Sequence, residues 1–106
     1  MKYIIRKNCT SIKDFPITEK EIQFFDCLHS KLSDEQNCHI RLFRMSNGSI
    51  SVYFDSYPIG KIKLYGQRFW MQILKGLYSN KTVEGTVEQF IEHIPEWQRY
   101  IELHCK

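Results

Sequence analysis

The chain has 106 residues, 42% of them hydrophobic and 25% charged, with 15 Lys and Arg against 12 Asp and Glu for a net charge of +3. This length suits one modest core, so a single domain over residues 1–106 is expected, and the composition excludes a disordered or low-complexity chain. No run reaches the roughly 18 apolar residues of a bilayer span, and the first residues lack the apolar stretch of a secretory signal, so a cytoplasmic protein without a membrane partner is expected.

The first element announced by the residues is a helix. Thr18 followed by Glu21 makes a capping box, with Ile17 before the cap and Ile22 placed as a hydrophobic staple. Ile22, Phe25, Leu28 and Leu32 then recur at helical spacing, which predicts an amphipathic helix over 19–32 with its apolar stripe on a sheet. Asn47-Gly48 stands between two strand-like runs, 38–45 and 50–55, and predicts a hairpin closed by a two-residue turn. That closure pairs Met45 with Ile50, Phe43 with Val52 and Arg41 with Phe54 on a core face, and Arg44 with Ser51 and Leu42 with Tyr53 on the other.

Pro58 and Gly60 delay the next strand to 61–65, with Ile62 and Leu64 inward and Lys61, Lys63 and Tyr65 outward. Gly66-Gln67 suggests a second tight turn. Residues 68–74 fit either period, because Phe69, Met71 and Ile73 alternate while Phe69, Ile73 and Leu77 match a helix; aromatic content and the preceding turn favour a strand. Thr86 and Gln89 form another capping box, with Val87, Phe90, Ile91 and Ile94 as the buried stripe. Pro95 should break or re-aim that helix, leaving 96–104 as a short helix that returns Trp97, Tyr100 and Ile101 to the core. The expected fold is therefore α+β: a small antiparallel sheet of three or four strands, an N-terminal helix and C-terminal helices.

The chemistry-bearing residues form no recognisable catalytic set. Cys9, Cys27, Cys38 and Cys105 are widely spaced and read as free thiols. Their close neighbours His29, His39 and His104 leave only the pairings Cys27-x-His29, Cys38-His39 and His104-Cys105, and adjacent strand residues point to opposite faces, so no metal site is expected. No thiol has a local base signature. A protein without enzymatic activity and without a cofactor is expected. Glu84, Glu88, Glu92 and Glu96 recur every four residues and would line one solvated helix edge.

One constellation stands apart. Between Asp55 and Glu84 the chain has no acidic side chain, yet it carries Lys61, Lys63, Arg68, Lys75 and Lys81 among Tyr57, Tyr65, Phe69, Trp70 and Tyr78. In the plainer account Tyr57, Phe69 and Trp70 are core and the lysines only solubilise exposed strand positions. In the functional account cations neutralise phosphates or meet an acidic protein surface while rings stack or anchor. The candidate binding residues are Lys61, Lys63, Tyr65, Arg68, Trp70 and Lys75, and the candidate partners include RNA and single-stranded DNA. No P-loop, G-x-x-G clamp or ribonucleoprotein motif is present, so nothing supports sequence-specific base reading.

The stretch Tyr57-Pro58-Ile59-Gly60-Lys61-Ile62-Lys63-Leu64-Tyr65-Gly66-Gln67-Arg68, with Met71-Gln72-Ile73-Leu74 and Phe90-Ile91-Glu92-His93-Ile94-Pro95-Glu96-Trp97, resembles small accessory proteins carried by phages and conjugative elements of Gram-positive bacteria. The resemblance covers about the C-terminal half. The complete lack of alanine, beside plentiful Ile, Lys, Asn, Phe and Tyr, agrees with an AT-rich coding bias. What the resemblance implies is a non-enzymatic binding protein, foremost an anti-CRISPR-like inhibitor that blocks a Cas9-type nuclease or its guide RNA complex. The alternative is a nucleic-acid-binding accessory protein for replication or transfer of the element.

Overall fold

A computed structural model describes residues 3–7, 15–76 and 79–104. In chain order these form β1 (Ile5–Lys7), α1 (Glu19–Lys31), α2 (Asp34–His39), β2 (Ile40–Arg44), β3 (Ile50–Phe54), β4 (Tyr57–Lys63), β5 (Trp70–Leu74), β6 (Asn80–Glu84), α3 (Val87–Glu92) and α4 (Ile94–His104). The class is α+β, with a larger sheet than expected. Six strands stand in sequence order: β1 lies parallel to β2, and β2 to β6 follow as an antiparallel meander. The added strands are both edges. β1 is three residues long and β6 is largely exposed, so neither carries the alternation that betrays a half-buried strand.

The helices start where the capping boxes put them. Thr18 Oγ1 accepts from Glu21 N at 3.1 Å while Thr18 N donates to Glu21 Oε1 at 2.9 Å. Thr86 and Gln89 repeat the arrangement at α3. Pro95 occupies the first turn of α4, where no intrahelical N–H is needed, so the chain re-aims near His93 as predicted. Ser33 and Gln36 form a third box that begins α2, and this moves Cys38 and His39 from the expected strand into a helical turn.

The β2–β3 hairpin exists but closes differently. Met45 N donates to Ser49 O at 2.8 Å and Gly48 N to Met45 O at 3.1 Å, and within the turn only Gly48 has positive φ, at 89°. A turn followed by a glycine bulge therefore replaces the two-residue turn, which would need positive φ at Asn47 as well. The register moves by one residue, pairing Arg44 with Ile50, Phe43 with Ser51, Leu42 with Val52 and Arg41 with Tyr53. Such a slip turns over every side chain of β2 relative to β3, whose Ile50 and Val52 stay in the core as expected. Leu42 and Arg44 go to the core, while Arg41 and Phe43, assigned to the core from sequence, go to the opposite face.

β4 also starts earlier than predicted. The β3–β4 ladder slips between Val52 and Tyr53, leaving Ile59 as an extra residue that is fully buried. Pro58 is tolerated beside this bulge because β5 pairs with β4 only from Gly60 onward. The connection from β4 to β5 spans residues 64–69 rather than a tight turn at Gly66-Gln67, and 70–74 is a strand, as favoured.

The helices and the inward sheet residues make one core. Leu42, Ile50, Val52, Ile62, Met71 and Ile73 are buried with Phe24, Phe25, Leu28, Phe90, Ile94 and Trp97. Phe24 and Phe25 both belong to the buried face of α1, which the predicted stripe only half captured. Trp97 is the keystone of α4: its indole N–H donates to Gln72 O at 3.0 Å, and its ring meets Phe24 edge-on at 5.5 Å. Gly60 makes this possible, since a Cβ there would stand 2.4 Å from Gln72 O and 2.7 Å from Trp97 Nε1. Burying an indole removes roughly 200 Å² from water, or about 5 kcal/mol before conformational entropy is counted. β1 is held from outside the sheet by Tyr3, whose hydroxyl donates to Asn37 Oδ1 and whose ring packs on Phe25 and His29. Burial pushes the Tyr3 hydroxyl well above its ordinary titration range.

Two opposite charges are buried inside this frame. Arg44, 3% exposed, grips Glu21, 1% exposed, through Nη1–Oε2 at 2.5 Å and Nη2–Oε1 at 3.0 Å. Arg44 Nη1 also donates to Gly48 O at 2.9 Å, and the guanidinium lies 5.2 Å from the Tyr65 ring and 6.0 Å from the Phe15 ring. Removing one partner strands the other charge in the core. Arg44→Ala is expected to cost about 3–5 kcal/mol in urea denaturation, and a loss under about 1 kcal/mol would show that water reaches Glu21 freely.

Candidate nucleic-acid interface

No described helix covers the outer side of the sheet: α4 packs on β4 and β5 from the core side, and α1 reaches α3 there. The ladder registers place Arg6, Phe43, Ser51, Lys61, Gln72 and Thr82 on one rung that crosses all six strands. On one side of it lie Arg41 and Tyr53, and on the other Lys63 sits opposite Trp70 with Glu84 beyond. Strands stand about 4.8 Å apart, so Arg6 and Lys61 are separated by roughly 14 Å along the rung. Phe43 meets Tyr53 edge-on at 5.5 Å. Among the described strand residues of this face, Glu84 supplies the single carboxylate.

The expected site residues divide into two groups. Lys61, Lys63 and Trp70 share the outer face, with Lys61 exposed and the other two half-buried, and Arg68 is exposed in the loop at the Lys63–Trp70 end. Among the described residues Lys61 and Lys63 have no acidic partner.

Tyr65 and Lys75 are engaged elsewhere. The Tyr65 ring lies edge-on to Phe15 at 5.2 Å and under Arg44, and its hydroxyl donates to Pro16 O, so it belongs to the frame around the buried ion pair. Lys75 pairs with Glu96 at 3.1 Å, as Lys81 does at 3.2 Å. Phe69 faces the helix side under Lys20, whose Nζ is 5.8 Å from the ring. Tyr57 is 49% exposed, and Tyr78 lies outside the described residues.

Three contributors are not evident in the sequence: Arg6, Phe43 and Gln72. Phe43 is misplaced by the two-residue hairpin register, and the signal that could have found it is Ser46-Asn47-Gly48 read as a three-residue loop. Tyr53 is on the non-core face as expected, and only its cross-strand partner changes, from Leu42 to Arg41. Arg41 is on the same face but partly committed, donating to Cys38 O at 2.8 Å and lying 3.8 Å from Asp55 Oδ1. His39 takes the other side of Asp55 at 2.9 Å.

The expected acidic helix edge does not form, because Glu84 is in β6, Glu88 and Glu92 are in α3, and Glu96 is in α4. Among the described residues no group of three or more His, Cys, Asp or Glu gathers as metal ligands, and no helix is long and apolar enough to cross a membrane. Cys27 and Cys38 are free thiols; Cys9 and Cys105 lie outside the described residues. No family model, curated protein or solved structure matches this chain.

The arrangement suits recognition of a flexible polyanion. Exposed cations are able to neutralise phosphates, and the half-buried rings of Phe43, Tyr53 and Trp70 are able to offer apolar surface to unpaired bases. At the opposite end, Glu96 ties β5, β6 and α4 together. Partial burial works against its charge, but hydrogen bonds from His93, Lys75 and Lys81 outweigh it and hold the carboxyl down at about 2, against an ordinary 4.5. A lowered pKa means that the stabilisation is complete above pH 4.5 and fades as the pH falls towards 2. Glu96→Gln is thus expected to lower the melting temperature at pH 7 and to lower it far less near pH 2, where about half of the carboxyl is already protonated. An equal loss at both pH values would exclude an ionic role.

Proposed function

We propose that the protein acts by binding rather than by catalysis, laying the outer face of its sheet on single-stranded RNA or DNA. In the cytoplasm of a bacterial host it would serve a phage or mobile element as an anti-CRISPR-like inhibitor, occupying the guide RNA complex of a Cas9-type nuclease. The observation that supports the binding mode is the rung of Arg6, Phe43, Ser51, Lys61 and Gln72, flanked by Tyr53, Lys63 and Trp70, on a face that no described helix covers. The sheet supplies rigidity, the lysines supply a field, and the rings supply stacking that tolerates any base. A protein mimicking DNA would need the opposite sign of charge. The inhibitory occupation itself draws on the resemblance of residues 57–97 to mobile-element accessory proteins. The same face would let the protein act on a free strand in replication or transfer of the element.

Co-elution of the purified protein with a Cas9-type nuclease, alone and loaded with guide RNA, and with free guide RNA tests the two occupations together. Binding only to the loaded complex supports inhibition, and binding to free RNA supports the accessory occupation. Failure with all three overturns the RNA-directed reading. Where a strand binds, Lys61→Ala with Lys63→Ala is expected to weaken it and to flatten the plot of log affinity against log salt by about 1.4, at about 0.7 for each phosphate left without its lysine. An unchanged salt slope would remove both lysines from the interface. Trp70→Ala should cost about 1–3 kcal/mol of binding at any salt concentration.

A further inference from the structure

β4 and β5 pair only where Gly60 to Lys63 face Ile73 to Trp70. Beyond Gly60 the bulge carries β4 along with β3, the two hairpins separate, and a pocket of about 390 Å³ opens between them. That size falls within the range of small-ligand sites. Lys61 and Gln72 reach it from the outer rung, Tyr53 and Tyr57 stand on the β3–β4 side, and Tyr100 and His104 close it from α4. The last two rings stack on each other at 4.6 Å.

Ser51 also lines this pocket, and it is the residue that points to a ligand. It is 3% exposed, and its Oγ is buried with no hydrogen-bond partner, the one such side-chain atom among the described residues. Buried hydroxyls are almost always paired, so an orphan at a pocket wall marks a place where an incoming polar group completes the bond. Two strands along the rung, about 10 Å away at the backbone and beyond Lys61, the Gln72 side-chain amide can both donate and accept. The rim carries the exposed Lys61 cation and the walls are aromatic. This combination of aromatic walls, a buried orphan hydroxyl, a half-buried amide across the pocket and an exposed cation fits a planar heterocycle with a phosphate attached.

The geometry points to a pocket for one unstacked nucleobase, read on its polar edge by Ser51 and Gln72 while Lys61 holds the adjoining phosphate. This rests on the strand-binding face, with which the pocket shares Lys61. It adds a base preference to a surface whose other contacts are sequence-tolerant. The same chemistry could come from a free nucleotide, and the two sources separate experimentally.

Fluorescence anisotropy at low salt with four eight-nucleotide homopolymers, and with strands carrying one abasic position, tests the pocket on the wild-type protein. One base should bind best, and removing a single base at the favoured position should lower affinity about tenfold. Ser51→Val and Gln72→Ala should erase the preference, while Lys63→Ala weakens all four strands equally. Strands that bind with salt-dependent affinity but equally well, with or without the abasic position, overturn the pocket and leave the face intact. If no strand binds, the face reading falls and titration with the four nucleoside monophosphates decides the pocket. Shifts of the Ser51 and Gln72 amide resonances would then make it a free-nucleotide site, and the absence of shifts would overturn it.

Discussion

Arg44 and Glu21 are charges that neither the sheet nor α1 could hold alone. An isolated carboxylate or guanidinium at this depth would lose several kcal/mol of hydration, so each is tolerable only where the other meets it with two aligned hydrogen bonds. This requirement reaches far into the structure. Glu21 must be the third residue of α1, where it also closes the cap with Thr18. Arg44 must point inward, which is possible only in the register set by the glycine bulge at Gly48. Gly48 returns its carbonyl to the same guanidinium, and Phe15 and Tyr65 pack against it. Helix start, hairpin turn and the loop after β4 are thereby fixed by one ion pair.

The outer face is the other side of that arrangement. Sending Leu42 and Arg44 inward sends Arg41 and Phe43 outward, and Ser51 and Tyr53 follow from the pairing. The bulge at Ile59 then keeps β4 in phase, placing Ile59 and Ile62 in the core and Lys61 and Lys63 on the surface. Gly60 lets the indole of Trp97 approach the strand backbone, so α4 seats firmly on one face, and no described helix covers the other. The candidate interface is thus built from the same alternation that builds the core.

Much of this is legible in the residues, and the failures have physical causes. Capping boxes are local signals, so those at Thr18 and Thr86 lead directly to α1 and α3, while the one at Ser33 is hidden beside a strand-like run. Lys61, Lys63 and Trp70 fall on one face because simple alternation carries them there. The hairpin register differs by one residue because Asn47-Gly48 suits a two-residue turn locally, while the buried partner that selects the other register lies more than twenty positions upstream. Tyr65 and Lys75 look available for the same reason: Phe15, Pro16 and Glu96, which occupy them, are remote in sequence. The edge strands carry no pattern, being short or exposed on both sides.

The six strands do not join the sheet on equal terms. From β2 to β6 each strand pairs with its neighbour in sequence, so these contacts close short loops and form early and cheaply. β1 instead waits for a crossover through α1 and α2 before it can lie beside β2, and it then contributes only three residues. Its pairing therefore closes the longest loop of any neighbouring strands in the sheet. Because Arg6 rides on it, the cation at that end of the face is in place only while β1 lies beside β2, and the width of the charged surface depends on that one long-range pairing.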